Sequence, residues 1–203
     1  MNRLSLVTYA VILFSMSCNN LENEVVNNSN ENSAINKYKI ASDEYIIWKA
    51  RHMRDTVDDY VSKLYIKNGE IIVSNNIIKS GFLSVDVGTM KLDKELPKNL
   101  IKHLISPGYF NLSAYPTIKY DINRVSNDSC FGELNVIGIK KKINFPLQVD
   151  IFDDHVRAKS TIKLNMLKFK LPDLVKTHSK QNREEVKGPN NFIFIDVDIK
   201  AFK

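Results

Sequence analysis

Alternation of apolar and polar residues is the feature that most constrains the fold of this 203-residue chain. In the segment at 115–122, Ile118, Tyr120 and Ile122 alternate with polar residues. Side chains that repeat every second residue lie on one face of a strand, and such strands have one buried side. The same pattern occurs at 45–51, 60–66, 70–74, 81–87, 131–139, 143–152, 156–164 and 191–202. The alternation therefore predicts an all-β domain of about eight or nine strands.

Two local signals interrupt this strand pattern. Leu96, Leu100 and Leu104 recur at helical spacing, with lysines on the remaining surface, so the spacing predicts one short helix of about three turns. Asn68-Gly69 lies between two strand-like segments and predicts a hairpin turn. No regular succession of strand, helix and strand is present, which excludes a parallel α/β sheet.

The predicted strands are compatible with two architectures. Antiparallel strands joined by short turns can close into a barrel, and about eight of them leave room for side chains or one small ligand. A sandwich of two sheets satisfies the same periodicity. Alternation indicates a buried face but does not distinguish a filled interior from a hollow one.

The N-terminal segment predicts export and a membrane anchor. Residues 1–17 contain one basic residue, Arg3, and then an apolar run that is too short to remain as a membrane-spanning helix. The run ends in Ser15-Met16-Ser17-Cys18, which resembles a bacterial lipobox, although Ser15 stands where an aliphatic residue is usual. We therefore predict a lipoprotein signal peptide at 1–17 and acylation of Cys18. An ordinary secretory peptide with an incidental cysteine is the alternative.

The segment after Cys18 predicts how the domain is attached. Residues 18–37 are polar and rich in asparagine, so they predict a disordered tether, and residues 38–203 remain as one domain. Two or three acyl chains hold a protein firmly on a membrane, whereas one holds it weakly. We expect a protein of the bacterial cell envelope, lipid-anchored to the membrane and facing the periplasm.

Charge and cysteine content limit the possible partners. The formal net charge of +6 and the pI near 9.1 permit an anionic partner without identifying one. The lysine triplet at 140–142 is interpreted as part of a solvated outer face, and nucleic acid is not an expected partner. With Cys18 acylated, Cys130 has no disulfide partner, and we interpret it as structural rather than nucleophilic.

The sequence contains no recognisable catalytic or metal-binding pattern. The four histidines show no metal-ligand spacing, so no metal and no cofactor is predicted. Asp153-Asp154-His155 lies in a predicted turn, where adjacent side chains mostly face water. Nucleophile elbows and phosphate-binding glycine loops are absent. We therefore do not expect an enzyme.

Four sequence motifs resemble a known family. They are GFLSVDV at 81–87, LIKHLISPGYF at 100–110, YPTIKY at 115–120, and GELNVIGI at 132–139 followed by INFP at 143–146. In this order they are similar to the YceI-like family, bacterial envelope proteins with a lipocalin-like barrel that binds polyisoprenoid lipids. The resemblance spans residues 45–202 and departs from the family pattern around His52 and at 165–187.

The resemblance implies an antiparallel lipocalin-like β-barrel of about eight strands with one short helix. It also implies an isoprenoid-type ligand, polyprenyl or quinone-like, or another long-chain lipid, held mainly by burial of its apolar tail. The residues expected to line the cavity are Trp48, Leu83, Val85, Ile118, Tyr120, Leu134, Val136, Phe145, Leu147, Ile195 and Val197. An envelope structural or interaction protein, with a barrel filled by its own side chains, is the alternative.

Overall fold

The chain folds mainly into antiparallel strands. A computed structural model describes residues 34–51, 59–92, 99–180 and 191–203. Its strands are β1 (Ile35–Ile40), β2 (Tyr45–Arg51), β3 (Asp59–Ser74), β4 (Ile77–Asp86), β5 (Lys91–Leu92), β6 (Thr117–Ser126), β7 (Ser129–Val136), β8 (Ile139–Pro146), β9 (Gln148–Ile151), β10 (His155–Asn165) and β11 (Phe192–Phe202). The α-helices are α1 (Asn99–Ile105) and α2 (Pro172–Lys180), and two 3-10 helices occupy Val87–Thr89 and Met166–Phe169.

Within the described residues, the eleven strands form eight rows around a closed barrel. β1 and β2 follow one another between β3 and β11 and share one row. β4 and β5 share the row on the other side of β3. β8 and β9, separated only by Leu147, pair with β7 on one side and β10 on the other. The predicted antiparallel barrel of about eight strands is therefore confirmed, and the sandwich is excluded.

Alternate side chains along each strand point into the barrel and are buried there. In β7 every second residue is buried, which places Cys130, Leu134 and Val136 on the inner face. The other residues of β7, Ser129, Phe131, Glu133 and Asn135, point outward and are half-exposed. The core is therefore the inside of the barrel, as the period-two pattern in the sequence indicates.

The two ends of the barrel differ. At the end that we call the turn end, β1 begins, β11 finishes and tight turns join β3 to β4 and β6 to β7. Asn75, Asn76, Asn127 and Asp128 occupy these turns with positive φ angles of 54°, 55°, 50° and 53°, a region that Asn and Asp tolerate. At the opposite end, which we call the helical end, α1 and α2 connect the strands.

Ion pairs connect three strands on the outer surface. Arg157 in β10 donates two hydrogen bonds of 2.8 Å to the carboxylate of Asp198 in β11. Lys49 in β2 pairs with Asp196 in β11. The hydrogen bonds from Arg157 and Lys49 hold the pKa values of Asp198 and Asp196 below their usual range. These contacts account for polar residues at alternate positions of β10 and β11.

The hairpin predicted at Asn68-Gly69 is wrong. β3 continues through both residues, with a register shift between Ile66 and Asn68 in its pairing with β4. A Cβ on Gly69 would lie 2.6 Å from Cδ1 of Ile40, so the glycine allows two neighbouring rows to approach closely. An isolated glycine within a strand often marks such a bulge or close approach. The hairpin instead turns at Asn75 and Asn76.

The helix content also differs from the prediction of a single helix. α1 covers Asn99–Ile105, and Leu96, part of the predicted helix, lies outside the described residues. α2 was not predicted because its segment is highly charged. The segment nevertheless begins with Pro172, a residue favoured at the first helical position, and buries Leu174. No helix within the described ranges is long and apolar enough to cross a membrane.

Most of the predicted N-terminal segments lie outside the described residues. These include the signal peptide at 1–17, Cys18 and the larger part of the tether at 18–37. β1 begins at Ile35, where it pairs with Ser74, and so starts upstream of residue 38, the predicted first residue of the domain. His52, one of the predicted departures from the family pattern, also lies outside the described residues.

Candidate functional site

The barrel encloses a cavity that follows its long axis. Ile40 and Ile199 line it towards the turn end, and Phe110 and Met166 line it at the helical end. Its volume is about 120 Å³, taken as the space open to the centre of a water-sized sphere. By that measure one water molecule needs about 10–15 Å³, so the cavity is far larger than an ordinary packing void. The interior of this barrel is hollow.

The eleven predicted lining residues all border this cavity. They come from six of the eight rows: Trp48, Leu83, Val85, Ile118, Tyr120, Leu134, Val136, Phe145, Leu147, Ile195 and Val197. The structure brings them together because each points inward from its strand or from the link between β8 and β9. Their position follows from the fold, while their contact with a ligand stays a prediction.

Sequence reasoning missed the remaining lining residues. These are Ile40, Ile46, Leu64, Ile71, Ile78, Phe110, Ile122, Cys130, Ile143, Ala158, Ile162, Leu164, Met166, Ile193 and Ile199. Most of them continue the same alternation and could have been included by extending each inward face. Phe110 and Met166 lie outside the strands, and no periodic signal marked them. Among the described residues, none of the 26 that line the cavity is charged.

Trp48 carries one of the few polar groups in the cavity wall. Its side chain is only 3% exposed, and it lies opposite Ile195 of β11. Its indole Nε1 has no hydrogen-bond partner in the described part of the chain. A buried donor without a partner destabilises a fold by about 1–3 kcal/mol. Trp48 is also the only tryptophan in the sequence, so its fluorescence reports on the cavity alone.

Tyr120 and Cys130 form a second, weakly polar part of the wall. The tyrosine Oη lies 3.6 Å from Cys130 Sγ and donates a hydrogen bond of 3.4 Å to the carbonyl oxygen of Ile143. Burial raises the pKa of the Tyr120 hydroxyl, and the neighbouring thiol adds to that effect. Burial also raises the pKa of the Cys130 thiol, which its hydrogen bond with Tyr120 partly offsets. Both groups are therefore neutral at physiological pH, which agrees with a structural role for Cys130.

Large aromatic side chains are buried at both ends of the barrel. At the turn end, Tyr38 is buried and its hydroxyl donates a hydrogen bond of 3.3 Å to the carbonyl oxygen of Phe152. At the helical end, Tyr109 and Phe110 pack edge to face with ring centroids 4.8 Å apart. Burial raises the pKa of Tyr109 to about 12. Buried aromatic side chains are thus packed at both ends of the barrel.

The wall is least regular between β8 and β10. Among the described residues, β8 forms a backbone ladder with β7 alone, and β10 is joined on this side only by β9, along Val156–Lys159. Ser160 Oγ donates a hydrogen bond of 2.6 Å to the carbonyl oxygen of Pro146 at the limit of this ladder. Beyond it, towards the helical end, the 3-10 helix Met166–Phe169 lies against β8. We call this ladder-free part of the wall the β8–β10 seam.

The segment Asp153-Asp154-His155 does not contribute to the cavity. His155 is the first residue of β10, where its Nδ1 is 2.7 Å from Asp154 Oδ1 and its ring stacks on Phe152 with centroids 4.4 Å apart. None of these residues lines the cavity. Over the described ranges of the chain, no group of three or more His, Cys, Asp or Glu side chains is arranged to hold a metal ion.

Solved structures of other bacterial proteins share this fold. No curated protein matches the sequence. BcnA of Burkholderia cenocepacia has a similar structure, with a TM-score of 0.56 and 10% identity over 78% of this chain and 96% of that one. A polyisoprenoid-binding domain from Saccharophagus degradans, implicated in plant cell wall breakdown, gives a TM-score of 0.59 and 9% identity over 83% of this chain and 99% of that one.

At such low identities the two structures show a shared fold only. The sequence itself provides the stronger link, because the model of the YceI-like domain matches residues 30–200. The match includes the four motifs on which the predicted resemblance rests, and that prediction is confirmed. This protein therefore belongs to the YceI-like family.

Proposed function

We propose that this protein binds an isoprenoid-type lipid, polyprenyl or quinone-like, in the barrel cavity. The observation that carries the proposal is a hollow interior whose 26 described lining residues include no charged side chain. Membership of a family of binding proteins supports it, as does the structural similarity to a polyisoprenoid-binding domain. The proposed role is binding and sequestration or transport, without catalysis.

Burial of branched hydrocarbon is the main source of the expected affinity. Isoleucine, leucine and valine dominate the lining, and they complement the methyl branches of an isoprenoid chain. Each isoprene unit buried contributes on the order of 2–3 kcal/mol before ordering costs are subtracted. An apolar cavity stays dry and accepts apolar guests, so the ligand does not have to displace tightly held water.

The alternative function is a structural or interaction role with a self-filled barrel. The open volume of about 120 Å³ counts against it, because a filled interior packs with few voids larger than a water molecule. A chain longer than the present space requires lining side chains to move. We therefore expect short isoprenoids to bind without rearrangement.

Lipid extraction and titration test the proposal directly. Organic extracts of the purified protein are analysed by mass spectrometry, and farnesol is titrated while the fluorescence of Trp48 is recorded. Ala158→Leu adds volume inside the cavity and is expected to weaken farnesol binding about tenfold, since a lost isoprene contact costs more than 1.4 kcal/mol. Lys159→Leu, at the next position of β10 and facing outward, is the control. Extracts without lipid, together with no fluorescence response, would disprove lipid binding.

We also propose that the domain is anchored in the bacterial envelope through acylated Cys18, with the barrel facing the periplasm. The support is the apolar run that ends at Cys18 and the polar segment that follows it. Cys18→Ser is expected to release the protein from membranes and to lower its mass by the lipid. Cys130→Ser, which changes the only other cysteine, should leave both unchanged. Membrane retention of Cys18→Ser at an unaltered mass would contradict acylation.

A further inference from the structure

The lysine triplet of β8 is split between the two faces of the barrel wall. Lys140 and Lys142 are exposed, whereas Lys141 is half-buried. Lys141 lies directly opposite Leu134 of β7, and directly opposed residues in an antiparallel pair project from the same face. Since Leu134 lines the cavity, Lys141 belongs to the inner face. The interpretation of the triplet as an outer surface therefore holds for two of its members and is wrong for the third.

Lys141 lies beside the cavity rather than beyond its end. The next inward residue of β8 towards the turn end is Ile143, which lines the cavity. In the other direction, Val136 of β7 lies opposite Ile139 and also lines it. The apolar wall therefore extends past the level of Lys141 on both sides along the barrel axis.

The charge of Lys141 has no counter-ion in the described part of the protein. Lys140, its neighbour on the outer face, pairs with Glu133 at 3.2 Å. Lys141 makes no hydrogen bond or ion pair with any described residue, and no described acidic residue lines the cavity. A partly buried ammonium group without a partner is costly, because it gives up hydration without a compensating contact.

The β8–β10 seam lies along the free edge of the same strand. β8 uses only its β7 side for backbone pairing, so its other edge is not closed by a ladder next to Lys141. Lys141 is only half-buried, so a polar group held beside it stays within reach of solvent while an attached chain lies in the apolar cavity. Inner-face charge, apolar cavity and ladder-free edge therefore meet at one place on the wall.

We propose that Lys141 binds the anionic headgroup, phosphate or carboxylate, of a lipid whose apolar tail occupies the cavity. This inference rests on the proposed lipid-binding function and adds the charge class of the ligand. A lysine ammonium binds an anionic group through charge-assisted hydrogen bonds, which are stronger than bonds between neutral groups. The protein should therefore prefer an anionic isoprenoid to the neutral alcohol of the same length.

Three ligands with the same hydrocarbon chain distinguish the possibilities: farnesol, farnesyl phosphate and farnesoic acid. Each is titrated into the full chain at neutral pH while Trp48 fluorescence is recorded. At least one anionic ligand is expected to bind about tenfold or more tightly than farnesol. The tighter of the two anions identifies the headgroup. The preference should decrease with added salt, because Lys141 is only half-buried and its charge is partly screened.

Matched variants assign the preference to one residue. Lys141→Gln is expected to bind all three ligands with the affinity that wild type shows for farnesol, and Lys141→Arg should retain the preference. Lys142→Gln removes the same charge from the outer face of the same strand and should behave as wild type.

Equal wild-type affinity for all three ligands would overturn the role of Lys141 and leave lipid binding intact. The role is also overturned if Lys141→Gln keeps the preference or if Lys142→Gln loses it equally. Aggregation of Lys141→Gln with unchanged preference would mean that the lysine protects a strand edge instead. Failure of all three ligands to bind would remove the proposed function itself, and the inference with it.

Discussion

Gly132 lies on the inner face of β7 and leaves room for the ring of Tyr120 on the neighbouring strand β6. A Cβ at this position would lie 2.2 Å from the backbone oxygen of Asp121 and 2.5 Å from Cζ of Tyr120. Overpacking of this kind typically costs about 1–3 kcal/mol. We expect Gly132→Ala to lower the free energy of unfolding by that amount, measured by urea denaturation.

Gly88 provides the control for that substitution. A Cβ there would lie 3.1 Å from Asp86 Oδ1 and 3.7 Å from Leu112 Cδ1, contacts that side chains can adjust. Gly88→Ala should therefore change stability by less than about 0.5 kcal/mol. Equal losses for the two variants would mean that packing against Tyr120 is not the cause.

The Cys130 thiol should react slowly in the folded protein. Its pKa is raised by burial, so the reactive thiolate is scarce at pH values where an exposed cysteine, with a pKa of about 8.5, is half ionised. In a Cys18→Ser background, iodoacetamide modification followed by mass spectrometry should accelerate only at more alkaline pH, or after urea is added. Rapid modification of the folded protein at neutral pH would contradict this assignment.

Single residues also show the limits of sequence-based prediction. Trp48 and Ile195 were placed correctly because alternation alone decides which side chains face inward. Lys141 follows the same alternation, yet its charge suggested an exposed position. The charge of Lys141 favours an outward side chain, whereas its position in the pleat places it on the inner face. The pleat decides which face the residue occupies.

At the scale of elements, α2 packs on the barrel through Leu174, the one buried side chain at its positions 172–176. Leu174 is 2% exposed, while the adjacent Val175 is 44% exposed. Leu174→Ala should destabilise the protein by about 2–5 kcal/mol through lost burial and a residual cavity. The urea midpoint measures this change.

Val175→Ala removes a similar apolar group from the exposed side of α2. We expect a change within about 0.5 kcal/mol, since it empties no packed space. Alanine is also the better helix former, so helix propensity cannot cause a loss here. A loss as large as that of Leu174→Ala would show that Val175 is packed as tightly as Leu174 and would contradict the assignment of Val175 to the exposed side.

Strands were easier to predict than helices in this chain. A strand with one buried side has a period that no short helix imitates, so β6 and β7 could be located from the residues alone. α2 has few apolar residues, and its charges resemble those of a loop. Asn68-Gly69 was misassigned because the same dipeptide suits a hairpin turn and a bulge within a continuous strand.

At the scale of the molecule, ligand binding should raise the stability of the whole barrel. A ligand that binds only the folded state stabilises it by about 2.7 kcal/mol when present at 100 times its Kd. We expect the melting temperature to rise with farnesol concentration, measured by circular dichroism. In Ala158→Leu the same rise should require more ligand, and a melting temperature independent of farnesol would contradict binding in the cavity.

Closure of the barrel and its hollow interior could not be derived from local patterns. Closure depends on pairing between residues distant in sequence, such as Lys39 with Phe202. The cavity depends on the combined volume of all inward side chains relative to the circumference of eight rows. Neither the closing strand pairs nor the volume of the cavity can be calculated from a single segment of sequence. The family resemblance was therefore needed to choose the barrel over the sandwich.

The pairing of β11 determines when the barrel can close during folding. β11, the most C-terminal strand among the described residues, supplies hydrogen bonds to β1, β2 and β10, so these three strands keep open edges until β11 is available to pair. Folding that depends on such distant pairings is slow, and unpaired edges favour aggregation in the meantime. The cavity is therefore completed only when the 11 residues of Phe192–Phe202 pair with β1, β2 and β10.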